Sequence, residues 1–104
     1  MITALTGGTG GAKLIEGLAA ELGSTELTVI CNTADDAFFH ALHVSPDLDT
    51  IIYTLAGLVD NDKGWGLKGE TFAALDQLRR FGEDVWFRLG DRDLATHIFR
   101  TRLL

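Results

Sequence analysis

The stretch Leu5-Thr6-Gly7-Gly8-Thr9-Gly10-Gly11-Ala12-Lys13 constrains the fold of this chain more than any other. The apolar run Met1 to Leu5 before it reads as a buried strand, and Ala12 to Leu22 after it reads as a helix. Glycines lack Cβ, so the backbone can turn with positive φ and approach a ligand closely. Free N–H groups of the loop and of the first helical turn then converge on one spot that favours an anion. A phosphate or diphosphate site at Gly7, Gly8, Thr9, Gly10 and Gly11, with Lys13 as an added cation, is the expectation. The plain alternative is a tight turn that packs helix on strand. The stretch is not a P-loop, because Lys13 stands between Ala12 and Leu14. It is not a dinucleotide fingerprint either: the third glycine of G-x-G-x-x-G is missing, and the next strand ends in Cys31-Asn32 rather than in an acidic residue.

Along the expected first helix, Leu14, Ile15, Leu18, Ala19 and Leu22 recur at spacings of three and four and share one face. Gly23 suits the helix end, and Ser24-Thr25-Glu26 reads as a connector. Leu27 to Cys31 reads as a second strand. Strand, helix and strand make a βαβ unit with a parallel sheet. Ligands of such sheets bind beyond the carboxyl ends of the strands. That rule sets the glycine loop and Asn32-Thr33-Ala34-Asp35-Asp36 at one mouth. Asp35 and Asp36 offer the hard oxygens that suit Mg²⁺. A solvated turn explains them equally well.

Residues 37–44 are apolar with His40 and His43, and strand, hairpin and helical turn all stay open for them. The histidine pair lacks neighbouring ligands for zinc. Ser45 and Pro46 fit the N-cap and first position of a helix. Asp47 and Asp49 then complement its dipole, and Leu48, Ile51, Ile52 and Leu55 make its apolar face. Residues 58–69 read as a loop with Trp65 between two glycines, placed either for packing or to line a flat aromatic ligand. Glu70 to Phe81 reads as a helix with Phe72, Leu75 and Leu78 inward. Val85-Trp86-Phe87 reads as a third strand. Leu89 to Leu94 reads as another strand-to-helix turn, with Asp91 a candidate N-cap, followed by a last helix from about Leu94.

The 104 residues form a single domain, 1–104, of α/β class with a mainly parallel sheet. It reads as an N-terminal portion, incomplete at the C-terminus. A net charge of −6, from 15 acidic and 9 basic residues, excludes a nonspecific nucleic-acid binder. A divalent cation would reverse the local field of such an acidic mouth. The single cysteine, Cys31, excludes an internal disulfide. The sequence shows neither a charged leader nor an apolar run of membrane-spanning length, so a cytoplasmic location away from membranes is expected.

Taken together and in order, five motifs carry a resemblance: Thr6 to Leu14, Asn32 to Asp36, Ser45 to Thr50, Gly64-Trp65-Gly66, and Leu89 to His97. The chain resembles the 2-phospho-L-lactate transferase family, CofD, with its bacterial form FbiA, over essentially its whole length. Ala34 departs from the glycine that the family often has there. The resemblance implies a Rossmann-like three-layer fold. It also implies a Mg²⁺-dependent transferase of coenzyme F-420 biosynthesis. Such an enzyme moves a phospholactyl or phosphoenolpyruvyl-type group from a guanosine diphosphate-linked donor to a hydroxyl of the deazaflavin Fo and releases GMP. On that reading the glycine loop holds phosphate oxygens, and Asp35, Asp36, Asp47 and Asp49 gather the metal. Asp35 or Asp49 takes the hydroxyl proton, while Asn32, Thr33, Asp91 and Arg92 orient substrate. A non-catalytic nucleotide- or sugar-binding regulator of the same superfamily, YvcK-like, and an inactive fragment are the alternatives. Oligomeric state stays open, with a homodimer among the options.

Overall fold

A computed structural model describes residues 1–23 and 26–104. The expected connector at Ser24 and Thr25 lies outside the described residues. Strand β1 (Ile2–Thr6) leads through helix α1 (Gly8–Leu22) to strand β2 (Leu27–Cys31). The strands pair in parallel, from Ile2 opposite Leu27 to Thr6 opposite Cys31. This is the expected βαβ unit, and the α/β class and Rossmann-like start hold. Helix α1 begins at Gly8, not at Ala12 as the sequence reading had it, so most of the glycine run is helical. Gly7 is its N-cap, Gly8 takes φ +59, and Gly23 closes it with φ +78. A β-carbon at Gly8 would strain that conformation.

Residues 37–44 resolve into a hairpin, β3 (Ala37–Phe39) and β4 (Leu42–Val44). His40 and Ala41 turn it with φ +52 and +66, the two-residue turn that suits strand twist. Helices α2 (Pro46–Leu55), α3 (Ala73–Arg80) and α4 (Asp91–Leu103) complete the order. One core joins α1 and α2 to the sheet: Ala12, Ile15 and Ile51 are buried against Ala4, Leu18, Leu27, Val29 and Cys31. Both helices therefore cover the same face of the β1–β2 pair. On the other face Leu5 is 78% and Ile30 54% exposed. Ile15→Ala is expected to cost about 2–5 kcal/mol through lost burial and a residual cavity. A lower urea midpoint with an unchanged denaturant slope is the readout.

Five further expectations are corrected. Leu14, assigned to the buried face of α1, is 65% exposed. Ile15, Leu18, Ala19 and Leu22 keep to the covered side as expected, and Ala12, one turn before Ile15, joins Ile15 in the core. On α2, Leu48, Ile52 and Leu55 face outward, and the buried set is Asp49, Thr50, Ile51, Tyr53 and Thr54. That helix turns a polar stripe inward because α4 supplies partners for it, as described below. Val85-Trp86-Phe87 forms no strand, and among the described residues no ladder reaches it. Its aromatic rings are held by packing instead: Phe87 stacks on Phe39 at 4.6 Å between centroids, and Trp86 meets Phe39 edge-on.

Finally, α3 and α4 start where each other's flanking residue caps them. The Glu70 carboxylate, expected inside a helix, accepts from the N–H groups of Arg92 and Asp93 at the start of α4. Asp91, expected to cap its own helix, is that helix's first residue and follows the N-cap Gly90. It accepts instead from Ala73 N, Ala74 N and the Thr71 hydroxyl at the start of α3. Both carboxylates meet the positive end of a helix, where an anion is favoured. Glu70 is thereby drawn out of α3, which begins at Ala73.

Candidate functional site

Two neighbouring regions carry the chemistry. The first is the mouth beyond β1 and β2. A β-carbon placed on Gly7 would lie 3.1 Å from Asp47 Oδ2 and 3.2 Å from Asn32 Cβ. Only glycine lets these three approach so closely without a neighbour giving way. Asn32 Nδ2 donates to Asp47 Oδ2 at 3.1 Å. Asn32 Oδ1 accepts from Ala34 N, which curls the segment that carries Thr33 and Asp35. The Ser45 hydroxyl, at the expected N-cap position, makes no cap bond but donates to Asp36 Oδ2 at 3.0 Å. Asp36 and Asp47 are thus both tied to this mouth, and Asp35 stands exposed beside them. Burial, and then the Asp47 carboxylate, push the Cys31 thiol above its ordinary value. Among the described residues no side chain caps the first turn of α1, which leaves its N–H groups available to a ligand.

The second region is a cavity of about 320 Å³ between α2, α4 and the loops around Trp65 and Phe87. Tyr53, Trp65, Phe72, Trp86 and Phe87 give it aromatic walls. Its polar end is a chain of side chains running from α2 to α4. The Tyr53 hydroxyl donates to Asp93 Oδ1 at 2.5 Å, and Asp93 Oδ2 lies 2.9 Å from His97 Nε2. His97 is 1% exposed. With Nε2–H donating to Asp93, its Nδ1 is left to accept from Arg100 Nη1 at 3.4 Å. The Arg100 guanidinium spans both oxygens of Asp49. Burial pushes the Asp49 carboxyl up, and Arg100 pulls it part of the way back. Burial and the bond to Asp93 push the Tyr53 phenol well above its ordinary value.

These facts distribute the expected residues unevenly. Gly7, Gly8, Asn32, Thr33, Asp35, Asp36 and Asp47 belong to the mouth, and Thr9, Gly10, Gly11 and Lys13 lie in the first turns of the helix that opens from it. Asp49 does not join them, because both its oxygens face Arg100. Asp91 and Arg92 serve the α3–α4 junction: Asp91 caps α3, and Arg92 reaches Glu70 Oε1 at 3.8 Å and the carbonyl of Lys68. Among the described residues, one group of ligand-type atoms clusters within 4.8 Å: Asp49, Asp93 and His97. Arg100 already supplies the positive charge there.

The sequence reading missed Tyr53, Asp93 and Arg100, and gave His97 no role. Helical spacing carries the signal: Asp49 and Tyr53 are four apart, and Asp93, His97 and Arg100 follow at four and three. Polar residues at that period share one face of their helix, and here that face is turned inward.

Asp91 makes a pH prediction. The Thr71 hydroxyl, then the N–H groups of Ala74 and Ala73, hold its carboxyl below the ordinary aspartate value. Its stabilisation is therefore present above that ordinary value and lost as pH falls through the lowered one. Asp91→Asn should destabilise the chain at pH 7 and flatten the acid limb of a pH–stability curve read by urea unfolding. An acid limb of unchanged depth in the variant would assign that limb to other carboxylates.

The family profile described as 2-phospho-L-lactate transferase CofD matches residues 2–104. The chain belongs to this family. It is 46% identical over 104 residues to a phosphoenolpyruvate transferase of Nocardia farcinica, covering 99% of this chain and 31% of that protein. It is 46% identical over 115 residues to the protein of that name from Mycobacterium ulcerans, and 44% over 117 to that from Mycobacterium tuberculosis, covering 35% of each. The chain thus spans about a third of the length of the curated relatives it matches. No helix among the described residues is long and apolar enough to cross a membrane.

Proposed function

We propose that this CofD-family chain builds the acceptor cavity and diphosphate mouth of a transferase in coenzyme F-420 biosynthesis. The enzyme moves a phosphoenolpyruvyl or phospholactyl-type group from a guanosine diphosphate-linked donor to the ribityl hydroxyl of the deazaflavin Fo. The names of its relatives favour the phosphoenolpyruvyl group. The observation that carries the reading is the aromatic-walled cavity, which shares a loop with the glycine-start helix. Gly64 of that loop packs on Thr9 of α1, while Trp65 and Gly66 line the cavity. A flat tricyclic ring and a diphosphate would then meet across one short loop.

In the proposed reaction the Fo hydroxyl oxygen forms a bond to the donor phosphorus that carries the acyl group. The bond from that phosphorus to the GMP oxygen breaks, and GMP leaves. N–H groups at the start of α1 hold the phosphate oxygens, and Asn32 and Thr33 orient them. The exposed carboxylate of Asp35 takes the hydroxyl proton. The all-oxygen donor set of Asp35, Asp36 and Asp47 suits Mg²⁺. When bound, the metal would neutralise the diphosphate and ease departure of GMP. Asp49 acts at a distance, by holding Arg100 and His97 at the end of the cavity. A cytoplasmic enzyme, with a homodimer as one assembly, accords with small soluble substrates.

The test is a titration of Fo fluorescence with the chain, with and without Mg²⁺ and GDP, followed by a transfer assay on the complete protein. Saturable Fo binding and Mg²⁺-dependent GMP release are expected. Binding without turnover in the complete protein would favour a regulatory nucleotide- or sugar-binding role. Failure of a folded chain to bind Fo would overturn the assignment of the cavity.

A further inference from the structure

The charges around the cavity do not balance in the way the net charge of −6 suggests. Its acidic residues are all satisfied from within. Glu70 accepts from three backbone N–H groups, those of Thr71, Arg92 and Asp93. Asp93 is held by Tyr53 and His97, and Asp49 by Arg100. Two cations at the rim have no such partner. Lys63 Nζ lies 4.9 Å from the Trp65 ring centroid and 5.7 Å from that of Phe72. The Arg88 guanidinium lies 4.1 Å over the same Phe72 ring. Among the described residues, no carboxylate comes within ion-pair distance of either side chain. Both residues line the cavity.

We infer that Lys63 and Arg88, gathered over Phe72 at the cavity rim, clamp the phosphate-type anion that is joined to the ribityl end of the ligand whose ring enters the cavity. Attraction to ring faces holds both cations in place without consuming their charge, so each keeps its N–H donors for an anion. The position serves the proposed reaction, on which this inference rests. Lys63 sits in the loop that separates the cavity from a smaller one of about 180 Å³, lined by Thr9, Lys13, Asn61 and Gly64. Lys63 precedes Gly64, which packs on Thr9 of the glycine-start helix, so an anion held by Lys63 lies at the aromatic rim beside that contact. That is where a diphosphate donor and a ring-bearing acceptor must approach each other.

The experiment compares riboflavin with riboflavin 5′-phosphate, two probes that share ring and ribityl chain and differ by one phosphate. Binding to the chain is read from flavin fluorescence. The phosphorylated probe should bind about tenfold more tightly. A Lys63→Gln/Arg88→Gln double variant should bring that ratio near one while leaving riboflavin affinity in place. The charge-keeping Lys63→Arg/Arg88→Lys variant and the exposed control Lys68→Gln should keep the ratio. Riboflavin binding with no preference for the phosphate, or a preference that survives the double glutamine change, would overturn the clamp but leave the cavity reading standing. If neither flavin binds, inorganic pyrophosphate titrated against tryptophan fluorescence decides. A saturable response lost in the double variant sustains the clamp and overturns the ring site. A flat response overturns both.

Discussion

Arg100→Met is expected to cost about 3–5 kcal/mol of folding stability at pH 7, read from the urea midpoint. The side chains of Arg100 and Asp49 are only 14% and 7% exposed, so removing the guanidinium strands a carboxylate away from water. The loss exceeds the worth of the pair itself, because the uncompensated charge is what costs. Two checks separate this cause from lost packing. First, burial already raises the Asp49 carboxyl, and without Arg100 it rises further. A group with a raised folded value stabilises fully below its unfolded value, and that stability is lost as pH climbs through the folded one. The variant should therefore recover toward acid pH relative to the parent. Second, Asp49→Asn added to Arg100→Met should restore much of the midpoint and remove that recovery. A double variant no better than the single would mean that packing against α4, not charge, was lost.

If the proposed reaction holds, Asp35→Asn should lower transfer in the complete protein by about 10²–10⁴-fold, the range for loss of a positioned proton acceptor. Folding should change little, because the residue is exposed and none of the hydrogen bonds found among the described residues uses its carboxylate. The contrast with Asp47 is informative. Its carboxylate binds Asn32 and faces Gly7, so Asp47→Asn should disturb both the mouth and its ligand. Turnover by Asp35→Asn within threefold of the parent would move the proton to another group. A collapse of its thermal midpoint would make Asp35 structural.

Local signals in the sequence carried the first third of the fold. A glycine run between an apolar strand and a periodic helix admits few arrangements, and the parallel pair, the closure at Gly23 and the shared mouth follow from it. The helix start was misplaced because glycine has poor intrinsic propensity, yet here the sheet and α2 hold the turn. What escaped was everything decided by partners far along the chain. Leu48, Ile52 and Leu55 looked like a core face because nothing local reveals that Asp49 and Tyr53 have partners on a helix some forty to fifty residues later. Val85-Trp86-Phe87 has strand chemistry, but β-propensity records fit to a neighbouring surface, and the surface it meets is the Phe39 ring. The glycine run was legible as a turn between strand and helix, whereas the cavity was not, since its walls come from separate elements.

The exchange of caps between α3 and α4 has a kinetic consequence. Glu70 and Asp91 each lie outside the helix they cap, and Asp91 is the first residue of α4, so α4 cannot release its first turn without freeing the carboxylate that secures α3. Fraying, usually the cheapest motion of a helix end, becomes a joint event for the pair. Amide protons of Ala73, Ala74, Arg92 and Asp93 should then exchange with solvent at a common rate. The segment between them, with its aromatic residues at 86 and 87, would be anchored at both ends while it accommodates a ligand.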